Sequence, residues 1–139
     1  MNQGAMKQQA FVHRNLPRLL LQAREAVMTH TRPSLREHGL SDQQWRVLRV
    51  LGEHANSTEA AEGVETGRVA REAFLLGPSL TGVLTRMERD GLIERSRCSQ
   101  DARRTVVRAT HLGLSKVAKC LKPLRRITPG WKVNWANKN

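Results

Sequence analysis

Ser79, Thr81, Thr85 and Arg86 lie on one side of a helical repeat, and they set the chemistry this chain can offer. Leu80, Val83, Leu84 and Met87 recur at i, i+3, i+4 and i+7, so that stripe faces a core. The opposite side carries Ser79, Thr81, Gly82, Thr85, Arg86 and Arg89, with no carboxylate before Glu88. Short hydroxyl groups and guanidinium groups without intervening acids suit close approach to a polyanion. Arginine matches guanine edges, and Ser and Thr match several acceptors and the thymine methyl. Alternatives stay open on these residues alone. Arg86 is a base or phosphate contact or a surface ion-pair partner. Ser79 and Thr81 bind phosphate near a helix N-terminus or simply cap it, and the whole face also suits an ordinary solvated helix.

Other chemistries find little support. His and Cys show no metal-ligand spacing, and there is no phosphate-cradling glycine loop or nucleophile elbow, so neither an enzyme nor a cofactor is expected. Cys98 and Cys120 make no disulfide framework. Cys98 has arginine neighbours that favour a thiolate, which keeps a redox- or stress-responsive regulator as an alternative, and Cys120 reads as packing. With no Tyr and two Phe, stacking platforms for single strands are absent.

The chain has 139 residues, a net charge of +12 and a pI near 11.3, which favours a polyanionic partner. Placement matters more than the total. Residues 39–78 carry net −2, whereas 79–111 carry +3 and 112–139 carry +7 with no acid at all. The acidic middle is unsuited to a phosphate backbone, and the two basic stretches after it are suited. A cationic membrane-surface protein is the alternative, since residues 112–139 include Trp131 and Trp135. Weak hydrophobicity after Pro129 argues against it. No run approaches the roughly 18–20 apolar residues of a membrane span, and no signal peptide is evident, so a cytoplasmic location is expected.

These groups need a scaffold, and the sequence supplies one in order. Residues 1–9 read as a flexible N-terminus. An apolar stripe from Phe11 through Leu16, Leu19, Leu20, Ala23, Val27 and Met28 predicts a helix over about 10–30, with Pro17 marking a start near Leu16 or a kink. So wide a stripe needs a cover, for which a partner chain is one candidate. Pro33 opens a short second helix ending at Gly39. Ser41 and Gln44 form a capping box, with Leu40 and Trp45 as a staple, for a helix reaching about His54. Residues 56–63 read as a loop and 66–74 as a short helix. Leu75-Leu76-Gly77-Pro78 makes a four-residue turn before the helix bearing Arg86. This is a helix-turn-helix order. Gly91 ends that helix, and two strands at 92–96 and 105–109 flank a polar turn at 99–104, forming a wing. A further helix begins at Leu112 and is stopped or bent at Pro123. Residues 128–139 form an atypical basic tail.

This order resembles the MarR family of bacterial winged-helix repressors. The resemblance is carried by Leu40-Ser41-Asp42-Gln43-Gln44-Trp45-Arg46-Val47-Leu48, Pro78-Ser79-Leu80-Thr81-Gly82-Val83-Leu84, Arg89-Asp90-Gly91-Leu92-Ile93-Glu94-Arg95 and Asp101-Ala102-Arg103-Arg104. It covers about residues 16–122 and is strongest for the homoprotocatechuate degradation regulator branch. It implies a mainly α fold, a winged helix-turn-helix over about 41–110 with a two-stranded β-wing, and flanking dimerisation helices at about 10–30 and 111–127. It also implies a homodimer on a pseudo-palindromic double-stranded DNA operator, repressing an aromatic-compound catabolic operon until a small aromatic carboxylate or phenolic effector releases it. By position, Ser79, Thr81, Thr85 and Arg86 would meet the major groove. Arg103 or Arg104 would enter the adjacent minor groove, with Asp101 holding the wing arginine or a backbone amide.

Arg95 and Arg97 read as phosphate contacts. For the effector, a partly apolar cleft with fixed cations is needed; His13, Arg18, His38, Trp45 and Arg46 are the candidates, although Trp45 also reads as plain core. Three features depart from the family pattern. Gly82 stands where many members have Arg, the 57–67 segment is longer than usual, and Pro123 interrupts the final helix.

Overall fold

In a computed structural model, residues 15–57 and 61–127 are described. Their order is α1 (Leu16–Glu37), α2 (Asp42–His54), β1 (Val64–Glu65), α3 (Thr66–Glu72), α4 (Gly77–Arg89), β2 (Ile93–Arg97), β3 (Thr105–Ala109) and α5 (His111–Ile127). The sheet is antiparallel in the order β1-β3-β2, with Val64 opposite Val107 and Ile93 opposite Ala109. The fold is thus mainly helical with a small sheet, as the resemblance implied.

Local sequence accounts for most boundaries. Ser41 Oγ accepts from the Gln44 amide at 3.2 Å, and Gln44 Oε1 accepts from the Ser41 amide at 3.0 Å, closing the capping box that starts α2. Helix α4 ends at Gly91, whose φ of 72° places it in the left-handed region. There the Leu92 amide donates to the Met87 carbonyl at 2.9 Å and the Gly91 amide to that of Glu88 at 3.0 Å, a Schellman closure. The core lies where α2, α4 and α5 meet the sheet. Val47, Leu48, Leu80, Val83, Leu84, Met87, Ile93 and Val107 are all buried there.

The long helices differ from expectation. Helix α1 begins at Leu16, with Pro17 in its first turn, and runs unbroken through Pro33 to Glu37. The expected dimerisation helix over about 10–30 and the separate short helix are therefore one element; residues 10–14 lie outside the described residues. A proline inside a helix costs about 3 kcal/mol. The last turn of α1 offsets that cost: Leu35 is buried, and the Leu40 amide closes the helix end on the Leu35 carbonyl at 2.8 Å. Likewise α5 continues through Pro123 to Ile127 and is not stopped there. The turn between α3 and α4 is Ala73–Leu76, two residues earlier than expected, since α4 starts at Gly77. The wing pair β2–β3 is joined by a third strand, β1. Two residues are too few to leave a readable alternation.

Candidate nucleic-acid interface

Helix α4 buries Leu80, Val83, Leu84 and Met87, and this fixes Ser79, Thr81, Thr85 and Arg86 on its exposed side. The N-cap position is Leu76, with no side-chain cap, so Ser79 is not capping α4; it lies in a first turn that holds no acid. Thr81 Oγ1 donates to the Gly77 carbonyl at 3.2 Å and Thr85 Oγ1 to the Thr81 carbonyl at 3.0 Å. With the hydroxyl protons committed to the helix, these threonines offer an outside partner their remaining lone pairs and their methyl groups. A Cβ on Gly82 would lie 3.7 Å from Arg86 Nη1. The Arg86 guanidinium therefore lies back over the space that Gly82 leaves open. Arg86 makes no hydrogen bond or ion pair among the described residues.

Arginines around this face are held by the protein in different ways. Arg95 Nε donates to Glu88 Oε2 at 2.8 Å, and this bond holds the Glu88 carboxyl below its usual pKa. Arg89 pairs with Asp90 at 2.9 Å and likewise lowers the carboxyl of Asp90. At the wing, Asp101 Oδ1 accepts from the Arg103 amide at 3.0 Å, while its carbonyl accepts from the Arg104 amide at 3.0 Å. Arg104 also faces two carboxylates, Glu65 at 3.4 Å and Asp101 at 3.6 Å. Arg97 Nη1 donates to the Ala102 carbonyl at 2.9 Å. Arg103 is exposed, and its guanidinium has no partner among the described residues. Of the eight residues proposed for DNA, the structure gathers four on α4 and four on the β2–β3 hairpin. Arg95, Arg97 and Arg104 already bind protein groups.

The effector candidates are not gathered in this way. His13 lies outside the described residues, and Arg18 is exposed on α1. His38 Nδ1 lies 3.0 Å from the Ser34 carbonyl, and its own carbonyl accepts from Lys116 Nζ at 2.7 Å. Trp45 is 5% exposed. Arg46 points to the helix-turn-helix turn, where Nη1 donates to the carbonyls of Ala73 at 3.0 Å and Phe74 at 3.1 Å. Arg49, not among the candidates above, has its guanidinium carbon 5.5 Å from the Trp45 ring centroid. Burial pushes its pKa down from the usual arginine value. Its position one turn after Trp45, on the same face, was the available signal. Among the described residues, no group of three His, Cys, Asp or Glu side chains is placed to hold a metal, and no helix is long and apolar enough to cross a membrane.

Comparisons agree with this architecture. The family model described as MarR family matches residues 38–104. The homoprotocatechuate degradative operon repressor of Escherichia coli is 42% identical over 102 residues, covering 73% of this chain and 64% of the relative. The chain thus spans less than two thirds of the length of that curated relative. The crystal structure of NadR in complex with 4-hydroxyphenylacetate superposes with a TM-score of 0.69 at 37% identity, covering 78% of this chain and 72% of that one. The transcriptional regulator PA4135 gives a TM-score of 0.68 at 40% identity, with 84% of both chains covered. With the helix-turn-helix, the wing and the flanking helices all present in this order, the chain belongs to the MarR family of winged-helix transcriptional regulators.

Proposed function

We propose that this protein is a cytoplasmic, homodimeric repressor that binds a pseudo-palindromic operator and is released by a small aromatic acid. The observation that carries the reading is the exposed face of α4, where Ser79, Thr81 and Thr85 surround an Arg86 with no protein partner among the described residues. The second helix of a helix-turn-helix enters the major groove, and a wing arginine suits the neighbouring minor groove; Arg103 is the arginine available for that role.

A second copy is favoured by α1, where Leu16, Leu19, Leu20 and Val27 are at least half exposed on one helix. Burying the exposed half of such side chains stabilises by about 0.7–1.5 kcal/mol each. Two lobes would then read half-sites about 34–36 Å apart. The effector class is supported by the relative that represses homoprotocatechuate degradation and by the 4-hydroxyphenylacetate bound to NadR. For such a carboxylate the reading assigns Arg49, a half-buried cation lying over the ring of the buried Trp45.

The test uses duplexes selected by the protein from a random library. Arg86→Ala should cost about 1–3 kcal/mol on the selected duplex and relax preference at one base pair. Equal loss on random DNA would instead assign Arg86 to a phosphate. Hydroxyphenyl acids such as 4-hydroxyphenylacetate should raise the melting temperature and release the duplex. Failure of a whole panel of aromatic acids to do either would remove the effector from the reading.

A further inference from the structure

Among the described residues, three helices end in the same hydrogen-bonded closure, and one of them does so with an unsuitable residue. Helices α1 and α4 place Gly39 and Gly91 in the left-handed position, at φ 68° and 72°. Helix α3 closes identically, the Leu75 amide donating to the Ala70 carbonyl at 2.9 Å and the Phe74 amide to that of Arg71 at 3.3 Å. There the left-handed residue is Phe74, at φ 53°, the one non-glycine residue with positive φ among those described. An aromatic side chain is disfavoured at that backbone position, where glycine is at ease.

Its side chain returns nothing to the fold. Phe74 is 86% exposed and Leu76, two residues on, is 79% exposed, more than any other large apolar side chain described. The turn is nevertheless fixed, because Arg46 Nη1 bonds the carbonyls of both Ala73 and Phe74. Leu76 is the N-cap residue of α4, and beside it Gly77 leaves open space, with nothing within 4 Å of a Cβ built there. A strained, solvent-facing aromatic on a clamped turn points to a partner outside the chain.

The position of the turn selects the partner. It leads directly into the helix whose start approaches base edges in a helix-turn-helix. The apolar group in the major groove is the thymine methyl, and Phe is among the side chains that meet it. We propose that Phe74 and Leu76 form an apolar extension of the α4 surface that reads thymine methyl groups in each half-site. This rests on the DNA-binding reading above. It differs from that reading in placing part of the specificity on the turn before α4 and on carbon rather than hydrogen-bonding atoms.

The experiment measures affinity by fluorescence anisotropy on a duplex selected by the wild-type chain, with thymines replaced one at a time by deoxyuridine. Wild type should lose about fourfold at one or two positions, the worth of one buried methyl. Phe74→Gly should bind the natural duplex more weakly by a similar factor and lose its sensitivity at the same positions. Its melting temperature should equal or exceed that of wild type, because glycine relaxes the turn. Leu76→Ser should shift the same or the adjacent position. Uracil indifference of wild type at every position overturns the proposal while leaving DNA binding intact. A full uracil penalty in Phe74→Gly, or an altered sedimentation coefficient of that variant without DNA, overturns it as well. Failure of wild type to select any duplex overturns both this proposal and the DNA-binding reading.

Discussion

Replacing Gly113 by alanine sets two physical effects against each other. Gly113 lies in the first turn of α5, where alanine is favoured over glycine by about 1 kcal/mol from helix propensity alone. A Cβ at this position would overlap the Leu92 carbonyl oxygen and lie 3.1 Å from Leu48 Cδ2. That oxygen cannot easily retreat. It accepts from the Thr110 amide at 3.0 Å, and the Leu92 amide is tied to Met87. Helix α5 is equally pinned, because Thr110 Oγ1 donates to the Gly91 carbonyl at 2.6 Å and accepts from the Gly113 amide at 3.2 Å. Relief requires roughly 1 Å of movement between two tied elements, and overpacking of that kind costs about 1–3 kcal/mol. The net expectation for Gly113→Ala is a loss of about 0–2 kcal/mol. Gly82→Ala is the control: its Cβ would meet only Arg86 Nη1 at 3.7 Å, an ordinary contact, so propensity should give a gain of about 1 kcal/mol. Urea unfolding at fixed protomer concentration reads both midpoints. A Gly113→Ala midpoint above wild type, matching the gain of Gly82→Ala, would refute the packing argument.

Three further outcomes concern the site. Arg103→Ala should weaken binding most on duplexes with a narrow, A·T-rich minor groove beside the half-site, and should reduce the magnitude of the salt slope by about 1, measured by titration across ionic strength; an unchanged slope takes the wing out of contact with the duplex. Arg46→Met should cost about 1–3 kcal/mol through the carbonyls of Ala73 and Phe74 left without their donor, and should speed amide exchange at the α3–α4 turn; unaltered exchange there would show that the turn does not depend on this arginine. Glu88 has a depressed folded-state pKa, so its pairing with Arg95 stabilises above the unfolded carboxylate pKa, and that contribution is lost as pH falls through the folded value. Glu88→Gln should therefore flatten the acid limb of the stability profile, and an unaltered limb would mean that the pair contributes nothing in solution.

The winged lobe was legible because its local signals agree with one another. The capping box at Ser41, the stripe from Leu80 to Met87, Gly91 and the alternation across the wing each specify an element without help from distant residues. The prolines misled, since Pro33 and Pro123 both sit inside helices, and at Pro33 the buried Leu35 and the closure of the helix end outweigh propensity. Strand β1 was hidden because Val64 and Glu65 are ordered by pairing with Val107 and Val106, more than forty residues away. Site residues were legible by type and face, but their partners were not. No spacing rule assigns Arg46 to the Ala73 and Phe74 carbonyls, 27 and 28 positions on. Phe74 was unreadable for the same reason, since its left-handed backbone belongs to a closure seen only once α3 has an end.

Net charge overstates what the lobe presents to DNA, and the pairing pattern explains how the rest is used. Between residues 79 and 111 there are seven arginines. Arg89, Arg95, Arg97, Arg104 and Arg108 each bond a carboxylate or a carbonyl, which leaves Arg86 and Arg103 unpartnered among the described residues. Exposed ion pairs of this kind are worth only about 0–1 kcal/mol, so a phosphate can displace the carboxylate at little cost. Until that happens the pairs hold long side chains in place, which would reduce the entropy lost if they meet a duplex as proposed. The two unpartnered arginines are also the two that the proposed DNA-binding reading places where identity would be read, one on the exposed α4 face and one at the wing tip. On the proposed DNA-binding reading Arg86 and Arg103 would carry discrimination, Arg103 sharing with Arg95 and Arg104 the salt-dependent affinity. Charge-neutral replacements of the first pair should therefore alter which duplex is selected, and those of the second only how tightly any duplex is held.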